Sequence, residues 1–146
     1  MISDLFIPAT NKSPEISLSA NGKITISGRC FPTEPNEIYT PVMDWASEYC
    51  REPAEETVVD LSIEYLNCTN SGKIYWFLQK LKEVILAEKK LVINYLYEAD
   101  DEDMREYGAT LQESLKHPVN IQPVDKLILP DMTGKPPSQS NNLPSE

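Results

Sequence analysis

Nine consecutive residues, Tyr65-Leu66-Asn67-Cys68-Thr69-Asn70-Ser71-Gly72-Lys73, gather hydroxyls, amides, a thiol and a cation in one short run. Two chemistries suit such a run. Ser71-Gly72-Lys73 invites comparison with a nucleotide-phosphate loop, but that motif needs a glycine where Asn67 stands and Ser or Thr where Ile74 stands. Nucleotide hydrolysis is disfavoured on those two positions. The other chemistry is covalent modification of a hydroxyl, because a helix N-terminus accommodates a phosphoryl dianion and the addition changes the surface charge sharply. Asn, Ser and Thr are equally the residues that cap unpaired N–H groups at a helix start. One loop can serve both purposes.

Elsewhere the chemistry is sparse. Asp100-Asp101-Glu102-Asp103 could offer carboxylate oxygens to a hard cation, and Asp100, Asp101 and Asp103 holding a metal for hydrolysis is the enzyme-class alternative. The run lacks the alternating pattern of a calcium loop, and acidic residues at a helix start are explained by capping and by the helix dipole. His117, the single histidine, precedes Pro118 with no nucleophile near it in sequence. Cys30, Cys50 and Cys68 are too widely spaced for a zinc site and odd in number, so they read as free thiols of a reducing cytosol. A thiol at a helix start could have a lowered pKa, but Cys68 has no resolving partner nearby. Trp45, Tyr75, Trp76 and Phe77 read as core aromatics rather than as a ligand patch.

A length of 146 residues with 40% hydrophobic content fits one compact domain. The net charge of −10 repels phosphate backbones and anionic headgroups, which argues against nucleic acid and membrane as partners. No leader-like N-terminus and no long apolar run is visible, so a cytoplasmic location is expected.

The elements that must position the run follow from periodicity. Ile16-Ser17-Leu18 and Ile24-Thr25-Ile26-Ser27-Gly28 alternate about Asn21-Gly22, the pattern of a β-hairpin. Ile38, Val42, Ala46 and Tyr49 predict a helix over about Glu37 to Tyr49, with Pro41 in or near its first turn. The β-branched run 57–66 predicts a central strand, and a helix from near Ser71 to Lys89 buries Ile74, Phe77, Leu78, Leu81 and Ile85. Leu91 to Tyr97 forms another strand, while Met104, Tyr107, Leu111 and Leu115 mark a third helix ending before Pro118. Val119-Asn120-Ile121 and Leu127-Ile128-Leu129 supply material for a last strand, and residues 130–146 are too polar to pack. The expected fold is α/β: a single domain over residues 1–129, a mixed sheet of an N-terminal hairpin plus parallel crossovers, about three packed helices, and a disordered tail.

Several stretches together are similar to one family. Leu5-Phe6-Ile7-Pro8-Ala9-Thr10, Gly28-Arg29-Cys30-Phe31-Pro32-Thr33-Glu34-Pro35, Tyr39-Thr40-Pro41-Val42-Met43-Asp44-Trp45, Asp60 to Asn67 and Tyr97 to Met104 resemble, in order and spacing, the SiaC-type regulatory phosphoproteins of bacteria. The similarity runs from about Asp4 to about Pro123. It implies a STAS-like domain resembling anti-sigma-factor antagonists, with a phosphoacceptor at the start of the helix after a central strand and with neither catalysis nor a cofactor of its own. It further implies a dedicated serine/threonine kinase, a PPM-type phosphatase, and a GGDEF diguanylate cyclase that the unphosphorylated form binds and stimulates, favouring biofilm or aggregation. The loop here is one residue longer than the family's usual one: aligned from the strand, Cys68 takes the acceptor position, and aligned from the helix, Thr69 does. A hydroxyl is required, so Thr69 is the expected acceptor and Ser71 the second choice, with Tyr65, Asn67, Cys68, Asn70, Ser71 and Lys73 as the surrounding interface. An antagonist acting on transcription is the neighbouring alternative, and a sigma factor rather than a cyclase encoded nearby would favour it.

Overall fold

Asn21 and Gly22 reverse the chain where the alternation predicts. In the computed structural model Gly22 takes a φ of +98°, its N–H donates to the Ser19 carbonyl, and Leu18 and Ile24 face each other across the turn. The structure describes residues 2–30, 35–66 and 68–128, with side chains for all of these except 35, 36 and 68–70. In chain order the elements are β1 (Leu5–Ile7), β2 (Glu15–Leu18), β3 (Lys23–Cys30), α1 (Pro35–Tyr49), β4 (Glu56–Leu66), α2 (Cys68–Leu81), α3 (Glu83–Leu86), β5 (Lys90–Glu98), α4 (Glu102–Leu115) and β6 (Asn120–Val124).

The six strands lie side by side in sequence order, antiparallel from β1 to β3 and parallel from β3 to β6. Each parallel step is bridged by a helix, as parallel pairing requires. Thr57, Val59, Leu61 and Ile63 of β4, and Leu91, Ile93, Tyr95 and Tyr97 of β5, are buried, while the residues between them are half-exposed. The alternation means that α1, α2 and α4 cover one face and the other stays open. On the open face a polar row crosses four strands: Lys23 Nζ to Asp60 (3.2 Å), Asn94 Nδ2 to Asp60 Oδ1 (2.8 Å), and Asn120 Nδ2 to Asn94 Oδ1 (2.9 Å). Pro123 sits in the edge strand β6, where a missing N–H leaves no ladder bond unmade on the outer side.

The mixed sheet, the central strand and the three long helices agree with the sequence, but four details differ. β1 was not anticipated, since three edge residues show no periodicity. Pro41 lies in the interior of α1, because that helix starts at Pro35 rather than Glu37; Pro41 is exposed, so the bond it forgoes opens to water. The long second helix breaks at Lys82, whose N–H is shared between the Leu78 and Gln79 carbonyls, and α3 resumes out of phase. Val84 is therefore buried, and Ile85 is exposed instead of packed. Leu127 is buried without joining a strand, its N–H held by Glu98 Oε2 at 3.1 Å. Leu129 and the polar tail lie outside the described residues.

Candidate functional site

β4 ends at Leu66 and α2 begins at Cys68, so the hydroxyl-rich run spans the C-terminal edge of a central strand and the first turn of a helix. That edge is where α/β sheets place their ligands. The helix starts three residues before the predicted Ser71, which makes Thr69 its second residue and Ser71 its fourth. The first turn holds no carboxylate, whereas α1 carries Glu37 and α4 carries Glu102 and Asp103 there. No carboxylate of that turn itself meets the positive end of the α2 dipole. Asn67 and the side chains of Cys68, Thr69 and Asn70 lie outside the described residues.

Helical spacing separates the two candidate hydroxyl positions. Positions 69, 72 and 76 recur at i, i+3 and i+7 on one face of α2, and Trp76 on that face is 61% exposed. Ser71 is half-buried and, with Gly72 and Tyr75, lines a cavity of about 280 Å³ against Tyr107, Thr110 and Ser114 of α4. Tyr65, at the end of β4, is 53% exposed, and Lys73 is half-buried and engaged. The aromatic expectation needs correction at one residue. Trp45 and Phe77 are core and Tyr75 is half-buried, but Trp76 points outward, edge-on to Tyr75 with ring centroids 5.0 Å apart. At Gly72 an added methyl group would meet no atom outside its own helix backbone within 4 Å among the described residues.

Near this junction the buried Cys30 and Tyr39 lie with the half-buried Tyr107. Burial pushes the Cys30 thiol from 9.0 up to about 12, only partly offset by Tyr39. Burial likewise raises Tyr39 and Tyr107, with Cys30 adding to both shifts. The Tyr39 hydroxyl lies close enough to Cys30 to feel it, but makes no well-formed hydrogen bond among the described residues, and neither does Tyr107. The unfolded chain loses these protons first, so above about pH 9 it binds fewer protons than the native state. The stabilisation is whole below about pH 9 and is lost on the way to about pH 12. Urea midpoints across that range should fall steeply, and Cys30→Ala should make the fall shallower.

The remaining candidates have structural employment. Asp101 is the N-cap of α4, accepting from the Met104 N–H at 3.1 Å, as the capping account expects. Among the described residues no three His, Cys, Asp or Glu side chains converge to hold a metal ion. Asp101→Ala should cost about 1 kcal/mol, measured by denaturant unfolding. His117 Nε2 meets the Leu91 carbonyl at 3.1 Å, tying the end of α4 to the start of β5. Cys50 donates to the Lys80 carbonyl at 3.4 Å, and burial, with Glu83 adding to it, raises its thiol to about 11. Both described thiols are free, and both are poor nucleophiles at neutral pH.

Comparison with known proteins places this geometry. A family model described as SiaC family regulatory phosphoprotein matches residues 7–124. An uncharacterized protein of Pseudomonas aeruginosa (strain UCBPP-PA14) is 25% identical over 126 residues, covering 86% of this chain and all of the relative. Apo-SiaC from Pseudomonas aeruginosa superposes with a TM-score of 0.71 at 24% identity, over 83% of this chain and 99% of that one. A second SiaC structure, in complex with the diguanylate cyclase SiaD that it activates, gives a TM-score of 0.76 at 24% identity, over 83% and 100%. The likeness to the solved structures is one of fold. No described helix is long and apolar enough to cross a membrane.

Proposed function

We propose, since this chain belongs to the SiaC family of regulatory phosphoproteins, that it is a phosphorylation-controlled binding protein whose unmodified form binds and stimulates a GGDEF diguanylate cyclase. It performs no chemistry itself. A serine/threonine kinase phosphorylates Thr69, a PPM-type phosphatase reverses the reaction, and the cycle operates in the cytoplasm. The observation that supports this reading most is the first turn of α2, which puts two hydroxyl residues and no carboxylate at the C-terminal edge of a central strand.

The helix start favours the phosphorylated state locally, because the dianion meets the positive end of the dipole. The partner sees the opposite effect. Roughly one and a half to two negative charges must be desolvated if the surface beside them is to be covered by an apolar partner. One modification can therefore be harmless to the fold and decisive for the contact. Purified unmodified protein, added to the GGDEF cyclases encoded in the same genome, should raise cyclic di-GMP synthesis by at least one of them. No stimulation of any of them contradicts the proposal.

A further inference from the structure

The apolar run that ends α2 fits two helical phases. At about 100° per residue, a helix continuing through position 85 would put Ile85 about 30° from the centre of the stripe formed by Ile74, Phe77, Leu78 and Leu81, and Val84 about 70° away. The fold takes the other phase: Val84 is fully buried, while Ile85 and Leu86 are 41% and 85% exposed. That choice has a visible cost. Beyond α3 the chain turns back through Glu88 at a φ of +63°, a left-handed conformation in which a Cβ is crowded. It also leaves two aliphatic side chains against water. A compensating contact stands at the break. Lys82 is half-buried and its Nζ donates to the Leu115 carbonyl at 2.5 Å. α4 has no basic residue in its own last turn, so the Lys82 ammonium reaches across to the negative end of that helix.

We propose that residues 82–89 form a two-state element whose phase is selected by the Lys82 ammonium. Held at the end of α4, that charge breaks the helix at position 82 and directs Val84 inward. Without it, α2 runs on past Lys82, Ile85 enters the core in place of Val84, and Glu88 leaves the left-handed region. Leu81 before the segment and Leu91 after it are buried in place, which confines the exchange to the chain between them. The two packings exchange one aliphatic side chain for another, so they differ little in apolar burial. A single charge-assisted hydrogen bond at a helix C-terminus is then sufficient to decide between them. Lys82 is thus a positioning residue for the pole of the sheet where β5 begins, opposite the edge at which α2 starts. One phase presents Ile85 and Leu86 together to water, and the other withdraws Ile85. The element does not depend on what binds at the first turn of α2.

Urea unfolding of the full chain in two backgrounds tests this. With Lys82 intact, Val84→Ala should lower the midpoint clearly, Ile85→Ala should leave it level, and Glu88→Gly should raise it. With Lys82→Met the order reverses: Ile85→Ala becomes the damaging change, Val84→Ala loses most of its effect, and Glu88→Gly no longer gains. Amide exchange of residues 85–87 should slow by about ten-fold or more in Lys82→Met as these N–H groups join the α2 ladder, whereas mere loss of a supporting contact would speed it. Lys82→Arg, which keeps the charge and the donor, should behave as the wild type does. An unchanged order of the Val84 and Ile85 effects in Lys82→Met, or faster exchange at residues 85–87, would overturn the proposal. Reversal in Lys82→Arg would overturn it as well, since charge would then not be the selector. If Lys82→Met does not fold, Lys82→Gln takes its place, and failure of both to fold would show that the amine supports a single packing and selects nothing.

Discussion

Stoichiometric phosphorylation of Thr69 should weaken cyclase binding by about ten-thousand-fold, or roughly 5.5 kcal/mol, which is what a switch from almost fully bound to almost fully free requires. A contact at the rim of an interface is worth about 1 kcal/mol or less, so the modified residue must sit near the centre. A central place is the reading we favour: position 69 shares its face of α2 with Gly72 and the exposed Trp76, beside the mostly apolar cleft between α2 and α4. A dianion there would have to lose its water beneath an apolar partner. Thr69→Ala should bind like the unmodified chain and ignore the kinase. Thr69→Asp should lose only part of the affinity, since a carboxylate has neither the bulk nor the second charge. Phosphorylation at Ser71 alone would enter the α4 cavity instead, and should then perturb packing around Tyr107 as well as binding.

The two glycines of neighbouring helices should respond to the same substitution with opposite signs. At Gly108 a new Cβ would lie 2.5 Å from Tyr95 Cε2. The Tyr95 ring cannot swing aside, because it is fully buried and its hydroxyl donates to the Met104 carbonyl of α4 itself. Overpacking costs about 1–3 kcal/mol, and here it outweighs the gain of about 1 kcal/mol from better helix propensity. Gly108→Ala should therefore lose up to about 2 kcal/mol net. Gly72→Ala, which meets no atom of another element within 4 Å among the described residues, keeps the propensity gain and should add about 0.5–1 kcal/mol. Chemical denaturation of both variants checks the pair, and two shifts of the same sign would contradict the packing described.

The contrast shows what the sequence could and could not convey. Local patterns were sufficient where one signal governs: Asn21-Gly22 marked the hairpin, the β-branched run 57–66 marked the central strand, and the acidic run at Asp100 to Asp103 marked the start of α4. They failed where a phase changes inside an apolar run. Val84 and Ile85 are indistinguishable by type, and only the break at Lys82 decides which is buried. Trp76 sits among Ile74, Tyr75, Phe77 and Leu78, so composition suggested core, while the helix axis turns it outward. The two glycines look alike in sequence and differ only in what the fold places opposite them. The hydroxyl-rich run was legible as a loop before a helix, but the early start at Cys68, which puts Thr69 inside the first turn, required the coordinates.

We place the control point of the protein at a hydroxyl in the first turn of α2. Incubation of the intact chain with its cognate kinase and ATP, followed by mass spectrometry of the peptide spanning Tyr65 to Lys73, tests it most directly. One phosphoryl group is expected on Thr69, and its loss when Thr69 is replaced by Ala. A fully reacted chain with no phosphate on either Thr69 or Ser71 would contradict it.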